Sequence, residues 1–447
     1  MRSKFVALLV CGLMGAWCTT PADALDQTNT PGAPHVSLSL HDALSLALAN
    51  NLDYQSSLAD ERAAEGEVVS ARSSLLPNLS AGYAYVHTQT AESFIFPKPT
   101  GGFQQIFVTS TSINNVNATL QYALYNGGAN IASVGQASAN LQASQASVAA
   151  QRATIIRDTT NAYFQLTESN RSATVADQAV SVASENLKTA NELYQAGTSP
   201  KVDVLRTEVT LADARVSAIR AHNNAALANA QLANILNINL SSIITPSDVL
   251  ETSAPTYTLD SLLQSAQSRP EIAAASDAVA IADYAVRLAR AGALPTVALQ
   301  VQDASSKPNF FNVPQPQLTE TLAVTWDLWD GGLTRGKVQE ASADVDKAKI
   351  ELKSLSNGVD LEVREAYFNY TAALAQVDAA RDAQTAAQEN YRVNAIRFKA
   401  GVGTSLELSD ALLSDTQAQD QYISSLADLR IGLVELQRAA GLIPTTI

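Results

Sequence analysis

Cysteine is almost absent: Cys11 and Cys18 are the only two in 447 residues, and both precede residue 19. The rest of the chain can form neither a disulfide nor a thiolate metal site. Aromatic residues make up 6% and charged residues 16%, against 46% hydrophobic. So large an apolar share excludes disorder. Carried by Ala, Val and Leu with few aromatics, it also argues against the about two to four ordinary globular domains that the length alone suggests. Basic residues are short as well, 29 Lys and Arg against 43 Asp and Glu, for a formal charge of −14 and a pI near 4.7. A nucleic-acid partner would call for a basic patch, and none is present.

Chemistry is missing too. The four histidines, His35, His41, His87 and His222, have no second ligand type at metal spacing. Gly401-Val402-Gly403 lacks the third glycine of a dinucleotide loop and follows a helical pattern. No G-x-S-x-G or H-E-x-x-H occurs, and Asp and Glu are spread along helix faces, where solvation is the default. No catalytic site, cofactor or metal is expected. Beyond Phe5–Trp17, no run approaches the about 20 apolar residues of a transmembrane helix.

What is there begins with a leader. Arg2 and Lys4, the apolar run and Ala22-Asp23-Ala24 read as a secretory signal peptide over residues 1–24. Trp17 is too large for the residue before a lipidated cysteine, so a mature chain from Leu25 without lipid is expected. An exported chain with no spanning helix can enter a membrane only as a β-barrel.

The strongest signal is duplication. Leu124-Tyr125-Asn126-Gly127-Gly128 returns as Leu328-Trp329-Asp330-Gly331-Gly332, a shift of 204. Ala162-Tyr163-Phe164 returns as Ala366-Tyr367-Phe368, and Tyr194-Gln195-Ala196-Gly197 as Phe398-Lys399-Ala400-Gly401, at the same shift. Upstream, Leu76-Pro77 matches Leu294-Pro295 and Asp42-Ala43-Leu44 matches Asp260-Ser261-Leu262, at a shift of 218. The first copy therefore carries 14 extra residues between Pro77 and Leu124.

Each copy runs in the same order. Helical segments over about 40–75 and 258–292 end at the Leu-Pro pair, where proline blocks continuation. Alternating strands follow: Leu318, Leu322, Val324, Trp326 and Leu328 share one parity, as do Val116, Ala118, Leu120, Tyr122 and Leu124, while Leu79, Ala81, Tyr83, Tyr85 and Val297, Leu299, Val301 mark their partners. Four strands cannot close a membrane barrel, which needs about eight, so oligomerisation is implied. Proline-free helical patterns then cover about 129–196 and 333–400. A heptad stripe runs through Val134, Leu141, Val148, Ile155 and Ala162, and through Val338, Val345, Leu352, Val359 and Ala366. It turns small at Ala176, Ala183 and Ala190, and at Ala373, Ala380 and Ala387, as a close-packed coiled-coil seam requires. The first repeat thus occupies 25–240, with a β-hairpin at about 78–125 and a helical hairpin at about 129–240. The second occupies 257–447, with hairpins at about 295–329 and 333–441. Residues 241–256, holding Pro246 and Pro255, read as a linker with little regular structure.

Two places suggest function. The helical hairpins turn at Gly197-Thr198-Ser199-Pro200 and at Gly401-Val402-Gly403-Thr404. Ser199 reads as an N-cap with Pro200 at the first helical position, and Thr404 with Glu407 as a capping box. Asp203, Glu407 and Asp410 lie near the starts of the return helices, where dipole stabilisation and a functional role are both open. The region of the 14 extra residues holds Phe94, Phe96, Pro97, Pro99, Gly101, Gly102, Phe103 and Phe107; an interfacial or extracellular loop and a disordered tip both fit.

From about Leu38 to Leu442, the double repeat, the Gly-Gly junctions, the Ala-Tyr-Phe pairs and the glycine tips resemble the TolC-type outer-membrane efflux proteins. The resemblance implies a membrane α+β fold: a trimeric 12-stranded outer-membrane β-barrel, continued by a periplasmic 12-helix α-barrel, with 241–256 in an equatorial band. It implies a homotrimer in outer-membrane lipid, an exit duct for drugs, small toxic molecules or polypeptides. The partners it implies are a periplasmic adaptor and an inner-membrane transporter in a tripartite efflux or type I secretion system. The family's gate aspartates fall on Glu407 and Asp410, and its tip-closing aspartate on Asp203, while the partner arginine falls on Gly403. The tips, Gly197, Thr198, Gly401, Val402 and Gly403, are expected to dock the adaptor. An exported coiled-coil adaptor or scaffold outside the membrane is the main alternative, and an exported hydrolase the other.

Overall fold

The computed structural model describes residues 35–88, 92–108, 111–248, 250, 255–308 and 315–443. The signal peptide expected over 1–24 lies outside the described residues. In chain order the elements are β1 (His35–Leu38), α1 (Leu40–Asn50), α2 (Leu52–Ser73), β2 (Asn78–Thr88), β3 (Glu92–Pro97), β4 (Phe103–Val108), β5 (Thr111–Asn126), α3 (Ala129–Gln195) and α4 (Lys201–Ile235). They continue with β6 (Ile243–Pro246), α5 (Leu259–Ala266), α6 (Pro270–Ala291), β7 (Thr296–Pro308), β8 (Gln315–Thr325), α7 (Leu333–Lys399) and α8 (Ser405–Ala439).

The two leading helical segments are each broken, a correction to the single helices expected. Asn51, at ψ 126, ends α1 and caps α2, its side chain accepting from the Tyr54 N–H. Arg269, at ψ 142, precedes Pro270, and a residue before proline is driven out of the helical region. The linker is also more ordered than expected: β6 pairs in parallel with β1, Val36 opposite Ile244. Strand β8 stops at Thr325, so Trp326 and Leu328 do not extend it. Trp326 instead donates its indole N–H to the Ala293 carbonyl at 3.1 Å.

Strands β2, β5, β7 and β8 form one antiparallel sheet in that order, with Leu79 opposite Leu120, Tyr122 opposite Leu299, and Val297 opposite Val324. Among the described residues the outer strands β2 and β8 are each paired on one side only. Leu79, Tyr83, Tyr85, Leu318, Leu322 and Val324 are each more than half exposed, a broad apolar face left open to solvent among the described residues. The extra residues of the first copy form a hairpin of their own, β3 with β4, turning at Gly101 and Gly102 with φ 88 and 94.

Both Gly-Gly junctions have positive φ at each glycine, which lets a strand swing directly into a long helix. Helices α3 and α7 have 67 residues each, about 100 Å at 1.5 Å per residue. The heptad stripe faces inward: Ile155, Ala162, Ala176, Ala183 and Ala190 are buried, as are Val345, Val359, Ala373 and Ala380. The main core sits at mid-length, where Tyr163, Leu232, Leu236, Leu429 and Leu436 meet the α1 and α5 helices. The Tyr163 hydroxyl there donates to the Leu38 carbonyl at 3.0 Å, tying the β1 segment to α3.

Candidate functional site

The two tips share one construction. Ala196 is the C-cap of α3, and Gly197 takes φ 77 so that the Thr198 N–H reaches back to the Leu193 carbonyl at 3.0 Å. Ala400 is the C-cap of α7, and Gly401 takes φ 72 so that the Val402 and Gly403 N–H groups both reach the Arg397 carbonyl at 3.0 Å. This is the left-handed helix stop that favours glycine. Gly403 is constrained differently: a Cβ there would lie 2.9 Å from the Phe398 nitrogen. Pro200, not Ser199, is the N-cap of α4, one residue later than expected. Ser199 is drawn away to donate its hydroxyl to Asp203 at 2.6 Å.

Beneath the turns Ala190, Phe398 and Leu408 are buried together, with Leu193 and Val204 packed on them. One apolar plug thus joins the ends of both hairpins. Lys399 reaches Glu185 at 3.2 Å above it, but both side chains are more than half exposed and the pair contributes little.

Asp203 ties α4 to α8. One carboxylate oxygen accepts from Ser199 and the other from the Ser405 hydroxyl at 2.5 Å. Arg206 also donates to the Ser405 hydroxyl at 3.5 Å, and Thr210 meets Ser409 at 3.0 Å one turn on. Burial opposes the charged form of Asp203, but the two hydroxyls and the Arg206 charge outweigh it and hold its pKa below the usual carboxylate value. Asp203 is thus held by the Ser199 and Ser405 hydroxyls beside the Arg206 charge. Ser405 lies 202 residues from Asp203, and no local signal in the sequence could have joined them.

Because the folded pKa is lowered, this tie contributes stability above the ordinary value of 3.8 and loses it as pH falls below. Spin labels at the exposed Lys201 and Val402 should report a broadened distance distribution below that pH. In Asp203→Asn the distribution should be broad already at neutral pH and no longer respond. A parent protein whose tip distances ignore pH would remove Asp203 from this role.

Glu407 completes the expected capping box: its carboxylate accepts from the Thr404 N–H at 3.0 Å, and the Thr404 hydroxyl accepts from the Glu407 N–H at 3.2 Å. The Thr404 N–H, then the Arg397 guanidinium 3.6 Å away, hold its pKa below the usual range. Asp410 lies one turn further on the same exposed face, and its carboxylate makes no hydrogen bond among the described residues. It borders a groove of about 980 Å³ between α3, α4 and α8, lined also by Glu168, Asp213 and Asp420. Burial pushes Glu168 and Asp420 toward protonation. Among the described residues no His, Cys, Asp and Glu cluster could hold a metal, and no helix is long and apolar enough to cross a membrane.

The sequence profile of the outer membrane efflux protein family matches residues 43–237 and again 262–442, once on each half of the chain. The chain belongs to this family. It is 27% identical over 433 residues to Protein CyaE of Bordetella pertussis, covering 95% of this chain and 86% of that one. It is 24% identical over 427 residues to the outer membrane efflux protein BepC of Brucella suis, covering 93% and 88%. Among solved structures, the CmeC outer membrane channel of Campylobacter jejuni superposes with a TM-score of 0.79 at 18% identity, over 91% of this chain and 87% of that one. The outer membrane protein VceC of Vibrio cholerae gives 0.77 at 18%, over 90% and 96%. The fold is that of TolC-type channels, and this protein resides in the outer membrane with its helical domain in the periplasm. The family consists of channels that work with adaptor and inner-membrane transporter partners, and its members are not enzymes. A scaffold that never enters the membrane is therefore not favoured.

Proposed function

We propose that three copies of this chain form the outer-membrane exit duct of a tripartite efflux or type I secretion system. The observation that carries the reading is the four-stranded sheet with both edges unpaired and its apolar face uncovered. Open edges are not tolerated in lipid, and joining β8 of one copy to β2 of the next gives a closed barrel of twelve strands after three. The four long helices of each chain then supply a twelve-helix periplasmic tunnel, with 241–256 in its equatorial band. The β3–β4 hairpin faces the outside. Drugs, small toxic molecules or polypeptides pass from the transporter, and the adaptor docks on Gly197, Thr198, Gly401, Val402 and Gly403. Glu407 and Asp410 from three copies form the narrowest, acidic ring.

Cysteines placed along the exposed edges of β2 and β8 test the closure. Oxidation of the detergent-solubilised protein should give covalent trimers and nothing larger, and removal of detergent should precipitate it. A soluble monomer that never cross-links would end this reading.

A further inference from the structure

The duplication puts two regions of the helical domain in correspondence, and they differ in charge. In the second half Arg269 is 4% exposed at the start of α6. Its guanidinium donates to Glu271 at 2.9 Å, to Glu362 on α7 at 2.6 Å, and to the Ala439 carbonyl at 3.3 Å. Arg438 reaches the same two carboxylates from α8. Burial opposes these charges, but mutual hydrogen bonding outweighs it, holding Glu271 below and Arg269 above their ordinary pKa values. The four groups fasten α6 to α7 and α8.

The shift of 218 carries Arg269 and Glu271 back to Asn51 and Asp53, and the shift of 204 carries Glu362 and Arg438 back to Asp158 and Asn234. Both carboxylates survive, each one methylene shorter, and both arginines become asparagines. The backbone corresponds as well: Asn237, at φ 50, stands where Gly441 has φ 68. At this place the first half has a pocket of about 300 Å³, lined by Asn51, Asp53, Gln151, Asp158, Asn234 and Asn237. Arg157 bonds Asp158 at 2.6 Å and lies 3.8 Å from Glu435, so Asp158 has one cation, which is not among the pocket-lining residues. The Asp53 carboxylate has no hydrogen bond or ion pair among the described residues.

Alone, Asp53 would be an ordinary acid in the first turn of α2, suited to the helix dipole. The second half shows what this backbone and these two carboxylates hold when complete, which is a planar guanidinium donating to two helices and a helix-end carbonyl. We propose that the first-half pocket is a guanidinium-binding subsite, taking from another molecule the cation that the second half supplies from its own chain. Two carboxylates and the amide oxygens of Asn234 and Gln151 offer acceptors only a forked donor satisfies together, so guanidinium should be preferred over ammonium.

The full-length protein in detergent, titrated with methylguanidinium, methylammonium and the tripeptide Gly-Arg-Gly, tests this by calorimetry. Saturable binding of methylguanidinium is expected, tighter than methylammonium. Asp53→Asn should weaken it by about tenfold or more, the loss of one charge-assisted hydrogen bond. Asn51→Arg, which places an arginine where the second half has Arg269, should abolish it. Binding of Gly-Arg-Gly as well points to an arginine side chain of a docking protein as the source, and its exclusion points to a free solute. The proposal is overturned if neither guanidinium probe binds, or if binding survives either substitution undiminished.

Discussion

Gly401→Val should abolish export while leaving the trimer assembled at normal abundance. At φ 72 a β-branched residue is held in left-handed backbone, a cost of roughly 1–2 kcal/mol that the turn can relieve only by changing its path. Nothing lies within 4 Å of the position a Cβ would occupy, so the damage is to the shape of the tip and not to the packing beneath it. Phe398 and Leu408, which hold the hairpin ends together, remain in place. A cost of this size is small against a long helical domain, which is why assembly should survive. Gly358→Val is the matched control, since that glycine lies within α7 with ordinary backbone and open space around it. Export by the control but not by the tip variant, with equal trimer yields on gels, is the expected result. Normal export by Gly401→Val would separate the tips from adaptor docking.

Glu407→Gln combined with Asp410→Asn should weaken cation selectivity in planar bilayers and remove block by trivalent cations. Three copies would gather six carboxylates around the axis, and converging negative charge between low-dielectric walls favours cations. The capping box makes this test clean. Glutamine serves at that position of the box as well as glutamate, so the start of α8 keeps its cap while losing the charge. Arg397 loses a partner, but at nearly half exposure and 3.6 Å that pair contributes little. The melting temperature should therefore stay close to that of the parent. Selectivity in the parent should fall as pH is lowered through the carboxylate range, because crowding raises proton affinity, against the lowering that Thr404 and Arg397 impose on Glu407. A double variant that retains selectivity and trivalent block would leave these residues as caps and move the gate elsewhere.

Much of this architecture was written in local patterns. The heptad stripe, the Gly-Gly junctions, the glycine tips and the Thr404–Glu407 box all depend on residues within a few positions of one another, and each is found where its spacing put it. The breaks at Asn51 and Arg269 were less legible. Both flanking segments keep a helical pattern, and only capping by Asn51 and the steric demand of Pro270 decide that the chain turns there.

The sequence by itself determined the order and periods of the long helices and of the barrel-type strands, the duplication, and which residues stand at the tips. Period, proline and glycine act on the chain locally, so they can be read without knowing what lies opposite. Only the tertiary structure decided that Asp203 is tied by Ser405, that β6 pairs with β1, and that Arg269 closes in the second half a space left open in the first. These contacts join residues from about 90 to 200 or more positions apart, and hydrogen bonds at such separations leave no trace in local composition. The first and the last follow from helices packed side by side, α4 on α8 and α6 on α7, where partners are chosen by height along the helix and not by place in the chain.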